Sequence, residues 1–103
     1  MAGKTLFEKI WDRHVIAERE GGQSLVYIDR HLCHDGSFNA FGQLREHDRE
    51  VRRPSQTFAT PDHYTPTKSA DLRDVPDPRA HEIATAIDKN CGDFGVTLFP
   101  WGD

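Results

Sequence analysis

The sequence predicts an α/β fold, a partial three-layer α/β/α domain with a short parallel or mixed sheet, and three observations carry that reading. Short apolar runs at residues 25–28, 57–60 and 96–99 have the length and composition of strands. Stretches with helical spacing alternate with them, the pattern of layered α/β domains. Polar clusters follow the first two runs, and in open α/β sheets ligands gather beyond the carboxyl ends of the strands. The 103 residues are read as one partial domain, residues 1–103, large enough for a small core only.

Thr5 and Glu8 have the form of a capping box. Phe7, Ile10, Trp11 and Val15 follow at helical spacing, which predicts a helix over residues 5–17 with one stripe turned to a core. Residues 20–23, with Gly21 and Gly22, make a turn before the run at 25–28, whose continuous apolar character suits a strand buried on both faces. Residues 29–36 then read as the loop beyond that strand. Ser37 can cap a second helix that carries Phe38, Phe41 and Leu44 on one face, ends in charged residues and is stopped by Pro54. A strand at 57–60 leads into a loop at 61–66 restrained by Pro61 and Pro66. After a polar connector, Asp77 and Pro78 offer an N-cap and a proline at the first helical position. Ile83, Ile87, Cys91 and Phe94 mark the stripe of that third helix, and Gly95 is placed to end it in a left-handed conformation. Phe7, Trp11, Phe41 and Phe94 are all read as core.

Charge and cysteine usage exclude several classes. The net charge of −4 and the mixing of basic with acidic residues leave no basic stripe for nucleic acid. No run approaches the ~20 apolar residues of a membrane span, and the first residues lack a signal-peptide segment, so a cytoplasmic location is expected. Cys33 and Cys91 belong to no C-x-x-C and read as two reduced packing thiols.

Three constellations carry potential chemistry. His31, Cys33, His34 and Asp35 are all competent metal ligands, but their spacing matches no zinc pattern, and the bland alternative is a loop that positions the backbone and makes structural ion pairs. Asp62 and His63 sit between two prolines, where a carboxylate could orient an imidazole for proton transfer; a turn-forming Asp beside a solvated His is the alternative. Ser37 and Asn39 lie at a helix start, where N–H groups favour a carboxylate ligand, although an ordinary cap accounts for them equally.

Taken in order, these segments resemble the 3-isopropylmalate dehydratase large-subunit family of the aconitase superfamily. The resemblance rests on Thr-Leu-Phe-Glu-Lys-Ile-Trp-Asp-Arg-His-Val at positions 5–15, on Tyr27 to Leu32 with His34, and on Val51 to Pro54. Thr57 to Thr60 with Asp62 and His63 continue it, and Asn90, Cys91 and Phe94 to Val96 complete it. It implies an N-terminal segment of a hydro-lyase that isomerises a hydroxy-dicarboxylic acid, 2-isopropylmalate to 3-isopropylmalate in leucine biosynthesis, by dehydration and rehydration. Asp62 and His63 match the family's catalytic pair. Ser37 and Asn39 fall in the substrate-binding segment, and Asp29, Arg30 and His34 match residues of site architecture. The family's Ser-Pro-Gln-Ala-Phe run stands here as Ser37-Phe38-Asn39-Ala40-Phe41, in a segment one residue shorter and with Asn for Gln, so the malate derivative is left unspecified. The resemblance further implies a four-iron four-sulfur cluster in the full-length protein. The family's cluster cysteines are absent here, so this chain is expected to carry no metal and to be inactive alone. The implied partners are the small subunit, the rest of the large subunit and a small dicarboxylate, with self-association a possibility; the alternative is a stand-alone small-acid binding or interaction module.

Overall fold

A computed structural model describes residues 2–102. Helix α1, Leu6–His14, opens with the expected capping box: the Thr5 hydroxyl accepts the Glu8 N–H, and the Glu8 carboxylate accepts the Thr5 N–H at 2.7 Å. It ends earlier than the spacing predicts. Val15, whose neighbour Ile16 is also β-branched, begins strand β1, Val15–Glu18, which turns back through Gly21 (φ +98°) and Gly22 (φ +82°) into β2, Ser24–Val26. β1 and β2 form a separate antiparallel hairpin.

The run at 25–28 was expected to be a buried strand of the main sheet, and the structure corrects this. Leu25 and Ile28 are exposed, and the segment 29–36, expected to be all loop, contributes strand β3, His31–Cys33. β3 pairs in parallel with β4, Thr57–Ala59, which pairs in parallel with β5, Thr97–Leu98. Alternation decides the faces: Cys33 and Ala59 point to the core, while Leu32 between its neighbours remains 68% exposed.

Helices cover the inner face only. α2, Phe38–Glu46, buries Phe41, and α3, Pro78–Phe94, buries Ile83, Ala84, Ile87, Asn90 and Cys91. Cys33, Phe41, Ala59, Ile87, Cys91 and Val96 form one cluster, with Phe41 and Phe94 rings 5.3 Å apart. Arg45 fastens the two helices, donating to Asn90 Oδ1 at 2.7 Å and Asp93 Oδ2 at 2.6 Å while its guanidinium lies over Phe94. The α/β class and parallel sheet are as expected, and the described residues supply two of the three layers.

α3 begins and ends as its sequence predicts: Asp77 Oδ1 accepts the Ala80 N–H, Pro78 sits at the first position, and Gly95 takes φ +67°. Two other caps differ. α2 is closed before Pro54 by Asp48 at φ +52°, with Asp48 N–H donating to Arg45 O and Arg49 N–H to Leu44 O, the pattern of a Schellman motif. Ser37 precedes α2 but its side chain makes no capping bond.

The larger correction concerns Phe7 and Trp11. Both are exposed, stacked on each other at 5.7 Å, and no residue of α1 is buried. The apolar stripe exists, but no described element packs against it. The arm of α1 and the hairpin stretches the chain to a radius of gyration of 17.8 Å, against about 13 Å for a compact domain of this size. Ile87→Ala is therefore expected to cost about 2–5 kcal/mol in denaturant unfolding. Leu6→Ser, on the exposed arm, should shift stability by no more than ~0.5 kcal/mol.

Candidate functional site

Parallel pairing brings the two polar clusters together. With Cys33 opposite Ala59, whatever follows β3 faces whatever follows β4. After β3 the chain enters a 3-10 turn over Asp35–Ser37, and after β4 it passes Pro61 to Asp62, His63 and Tyr64.

Asp35 lies at the centre, 1% exposed. Its Oδ2 accepts the N–H groups of Asp62 at 3.2 Å and Tyr64 at 3.1 Å, and its Oδ1 accepts those of His63 at 3.3 Å and Gly36 at 2.9 Å. Burial pushes this carboxyl up, but the N–H donors of Tyr64, Asp62 and His63, with the His34 ring, outweigh it and hold the group below its ordinary range. A carboxyl depressed in the folded state stabilises the fold at pH above its unfolded value, near ~3.9, and that contribution is lost as pH falls through the folded value.

Two imidazoles stand over this carboxylate. The His34 and His63 rings stack with centroids 4.5 Å apart and planes inclined by 27°. His34 Nδ1 is 3.3 Å from Asp35 Oδ1, and the Gly36 N–H is shared between that ring nitrogen at 3.0 Å and the carboxylate oxygen at 2.9 Å. His63 Nδ1 lies 3.2 Å from Asp62 Oδ2, so a carboxylate orients that ring as well. Ligand atoms of His34, Asp62 and His63 come within 4.8 Å of one another, yet stacked rings direct their in-plane lone pairs side by side. The arrangement suits proton transfer better than converging coordination of a metal ion.

The other predicted residues are spread around this centre. Ser37 Oγ accepts the His34 N–H at 3.3 Å, so it shapes the turn. Asn39 is exposed on the first turn of α2. Asp29 and Arg30 precede β3 and therefore lie at the opposite end of the strand. Asp29 Oδ1 meets His14 Nε2 at 3.1 Å, and Arg30 Nη1 donates to the Asp29 carbonyl. The structure brings them to the arm, away from the Asp35 cluster. His31, weighed as a ligand, is exposed with its ring beside Cys33 Sγ at 3.7 Å.

Residues 8–103 match the family model described as Aconitase family (aconitate hydratase). The chain belongs to the aconitase family. Over 101 residues, 97% of its length, it is 48% identical to proteins named 3-isopropylmalate dehydratase large subunit from Listeria welshimeri and Listeria monocytogenes. The matched region is 21% of each, so the chain spans about a fifth of the length of these curated relatives. No solved structure matches it.

An aconitase-family protein at full length implies a four-iron four-sulfur cluster, and the two cysteines here do not fit as its ligands. Cys33 and Cys91 are 5% and 3% exposed in the core. Burial pushes the Cys33 thiol up and carries Cys91 to about 11, with the neighbouring Cys33 and Asp88 adding to it. A cluster ligand must be a thiolate with access to iron. The sequence reading weighs Asp35 as a metal ligand or as part of a loop that positions the backbone and makes structural ion pairs, and it does not single out the bonds from the N–H groups of residues 62–64. The available signal was an acid followed by Gly36 at a strand end, facing a second loop of polar residues.

At pH 8, alkylation of Cys91 in the folded chain should run at least ~100-fold slower than in the unfolded chain, because little thiolate is present and access is blocked. Timed trapping with iodoacetamide, with and without denaturant, checks it; equal rates would place the thiol outside the core.

Proposed function

We propose that this chain forms the N-terminal part of a hydro-lyase large subunit that moves a hydroxyl between adjacent carbons of a hydroxy-dicarboxylic acid of the isopropylmalate type, by dehydration and rehydration. One observation carries the reading: the Asp62 and His63 side chains, 3.2 Å apart, stand on a loop fixed at the carboxyl edge of a parallel sheet. The names of the curated relatives supply the reaction class.

In this reading His63 moves a proton at its ring nitrogen, and Asp62 orients the imidazole and supports its charged form. His34 is stacked on His63 with ring centroids 4.5 Å apart. Asn39, exposed on the first turn of α2, and Ser37, whose O–H can donate while its oxygen accepts the His34 N–H, are the groups offered to a substrate carboxylate. Asp29 ties the segment before β3 to the end of α1 through His14, and Arg30 donates to the Asp29 carbonyl. The iron–sulfur cluster, the remaining carboxylate-binding groups and the surface for a small subunit belong to the rest of the protein. The exposed stripe of α1 fits packing against that remainder and, in the isolated chain, self-association. Two unpaired, buried thiols accord with a cytoplasmic location.

In the complete large subunit paired with its small subunit, His63→Ala and Asp62→Asn are each expected to lower turnover by ~10²–10⁴-fold. Their melting temperatures should stay close to wild type, since both side chains are more than 60% exposed. Near-normal turnover in either variant would return that residue to a structural role. A second outcome concerns the chain by itself. After anaerobic reconstitution, iron and acid-labile sulfide should remain at background, because the two buried thiols offer no accessible cluster site. Stoichiometric uptake would contradict this.

A further inference from the structure

We infer that Asp35 is a positioning residue for the proton-transfer pair: its buried carboxylate fixes the backbone of residues 62–64, and thereby the directions of the Asp62 and His63 side chains. The role in catalysis rests on the function proposed above; the role in holding the loop does not.

The geometry has few alternatives. Asp62 and His63 project outward and are mostly exposed, so packing holds them little beyond the stack of His63 on His34. Proline at 61 and 66 narrows the loop's conformations, but proline donates no N–H and cannot tie the loop to a neighbour. What joins the loop to the β3 side is the set of bonds from the N–H groups of Asp62, His63 and Tyr64 to the two oxygens of one carboxylate. Oδ2 spans residues 62 and 64, and Oδ1 takes 63 between them, so the three N–H groups converge on one acid. This is a cradle for an anion in which the anion is part of the chain.

Chemistry explains why an acid is needed there. Asp35 is fully buried, and a buried carboxylate without donors would be costly, so the N–H groups and the charge stabilise each other. An amide of the same size would keep one acceptor oxygen and turn an NH₂ group toward N–H groups that need acceptors. Asp35→Asn therefore preserves volume while opposing the loop's hydrogen bonds. His34 is affected too, because the oxygen that faces its Nδ1 is also the one that accepts from His63 and Gly36. A single side chain thus sets the loop and both stacked rings.

Three measurements test the proposal. In the 103-residue chain, amide hydrogen exchange by NMR should show Asp62, His63 and Tyr64 exchanging at least ~10-fold faster in Asp35→Asn, with α3 amides as in wild type. Unchanged exchange at 62–64 would overturn it. If the variant does not fold, the wild-type chain still decides. On acidification, the amide shifts of Asp62, His63 and Tyr64 should move with the Asp35 carboxyl carbon at one common midpoint, and separate midpoints would overturn the proposal. In the complete subunit, Asp35→Asn should lower kcat by at least ~10-fold with KM within about twofold, since orientation of the proton-transfer pair is lost while substrate contacts remain. An unaltered kcat would remove the catalytic consequence. Wild-type subunit without hydro-lyase turnover would instead refute the proposed function, and the exchange result would still judge Asp35.

Discussion

A buried negative charge is the constraint around which the rest of this structure is arranged. The Asp35 carboxylate is withdrawn from water at the junction of β3 and α2, and only directed N–H groups compensate for that loss. Those groups come from a loop 27–29 residues further along the chain. The bonds therefore close a long segment, α2 included, and make the β3 end and the β4 end a single unit. The parallel register of β3 with β4 is what permits this, because a strand running the other way would put its outgoing loop at the opposite edge.

Packing and polarity divide the chain into unlike parts. From His31 onward, small side chains at Cys33 and Ala59 let α3 lie close to the sheet, and the larger Phe41, Ile87 and Val96 fill the space between. Before His31 the same kinds of apolar residue remain in water: Leu6, Phe7, Ile10, Ile16, Leu25 and Ile28 are all more than half exposed. The outer face of the sheet shows Leu32 and Phe99 in the same way. Apolar area of this extent is costly in water, and coverage by further protein is its simplest remedy. The chain spans about a fifth of the length of the curated relatives it matches, and under the proposed function the remainder of such a subunit would supply that coverage.

Local chemistry was legible in the sequence wherever the determinant was itself local. The capping box at Thr5, the Asp77 and Pro78 start of α3, the Gly95 stop and the β4 and β5 runs are each set by a few adjacent residues. The Asp62 and His63 pair was legible for the same reason. What escaped was set by partners distant in sequence. His31, Leu32 and Cys33 look like loop in a polar segment because β3 owes its existence to β4. The stripe at Phe7 and Trp11 has the period of a core helix, but period shows only that one face is apolar, and burial depends on an element that the described residues lack. Asp35 reads as a possible ligand or as part of a loop that positions the backbone, because ionisable residues crowd around it. Its function as an acceptor for backbone N–H groups needs the other loop to be seen.

The site that results has its geometry built before its electrostatics. Hydrogen bonds to Asp35 and the restraint of two prolines set the position of the pair, and both sources lie within the chain. Strength is a separate matter. The Asp62 and His63 side chains are 64% and 61% exposed, and charges so close to bulk water are heavily screened. An acid–base pair acts most effectively where water is excluded and preorganised dipoles face the developing charge. Nothing among the described residues closes over the stacked rings, so that exclusion must come from protein that covers the carboxyl edge of the sheet. Under the proposed function a division of labour follows: the segment fixes where the Asp62 and His63 side chains stand, and the enclosing protein would determine how strongly they act.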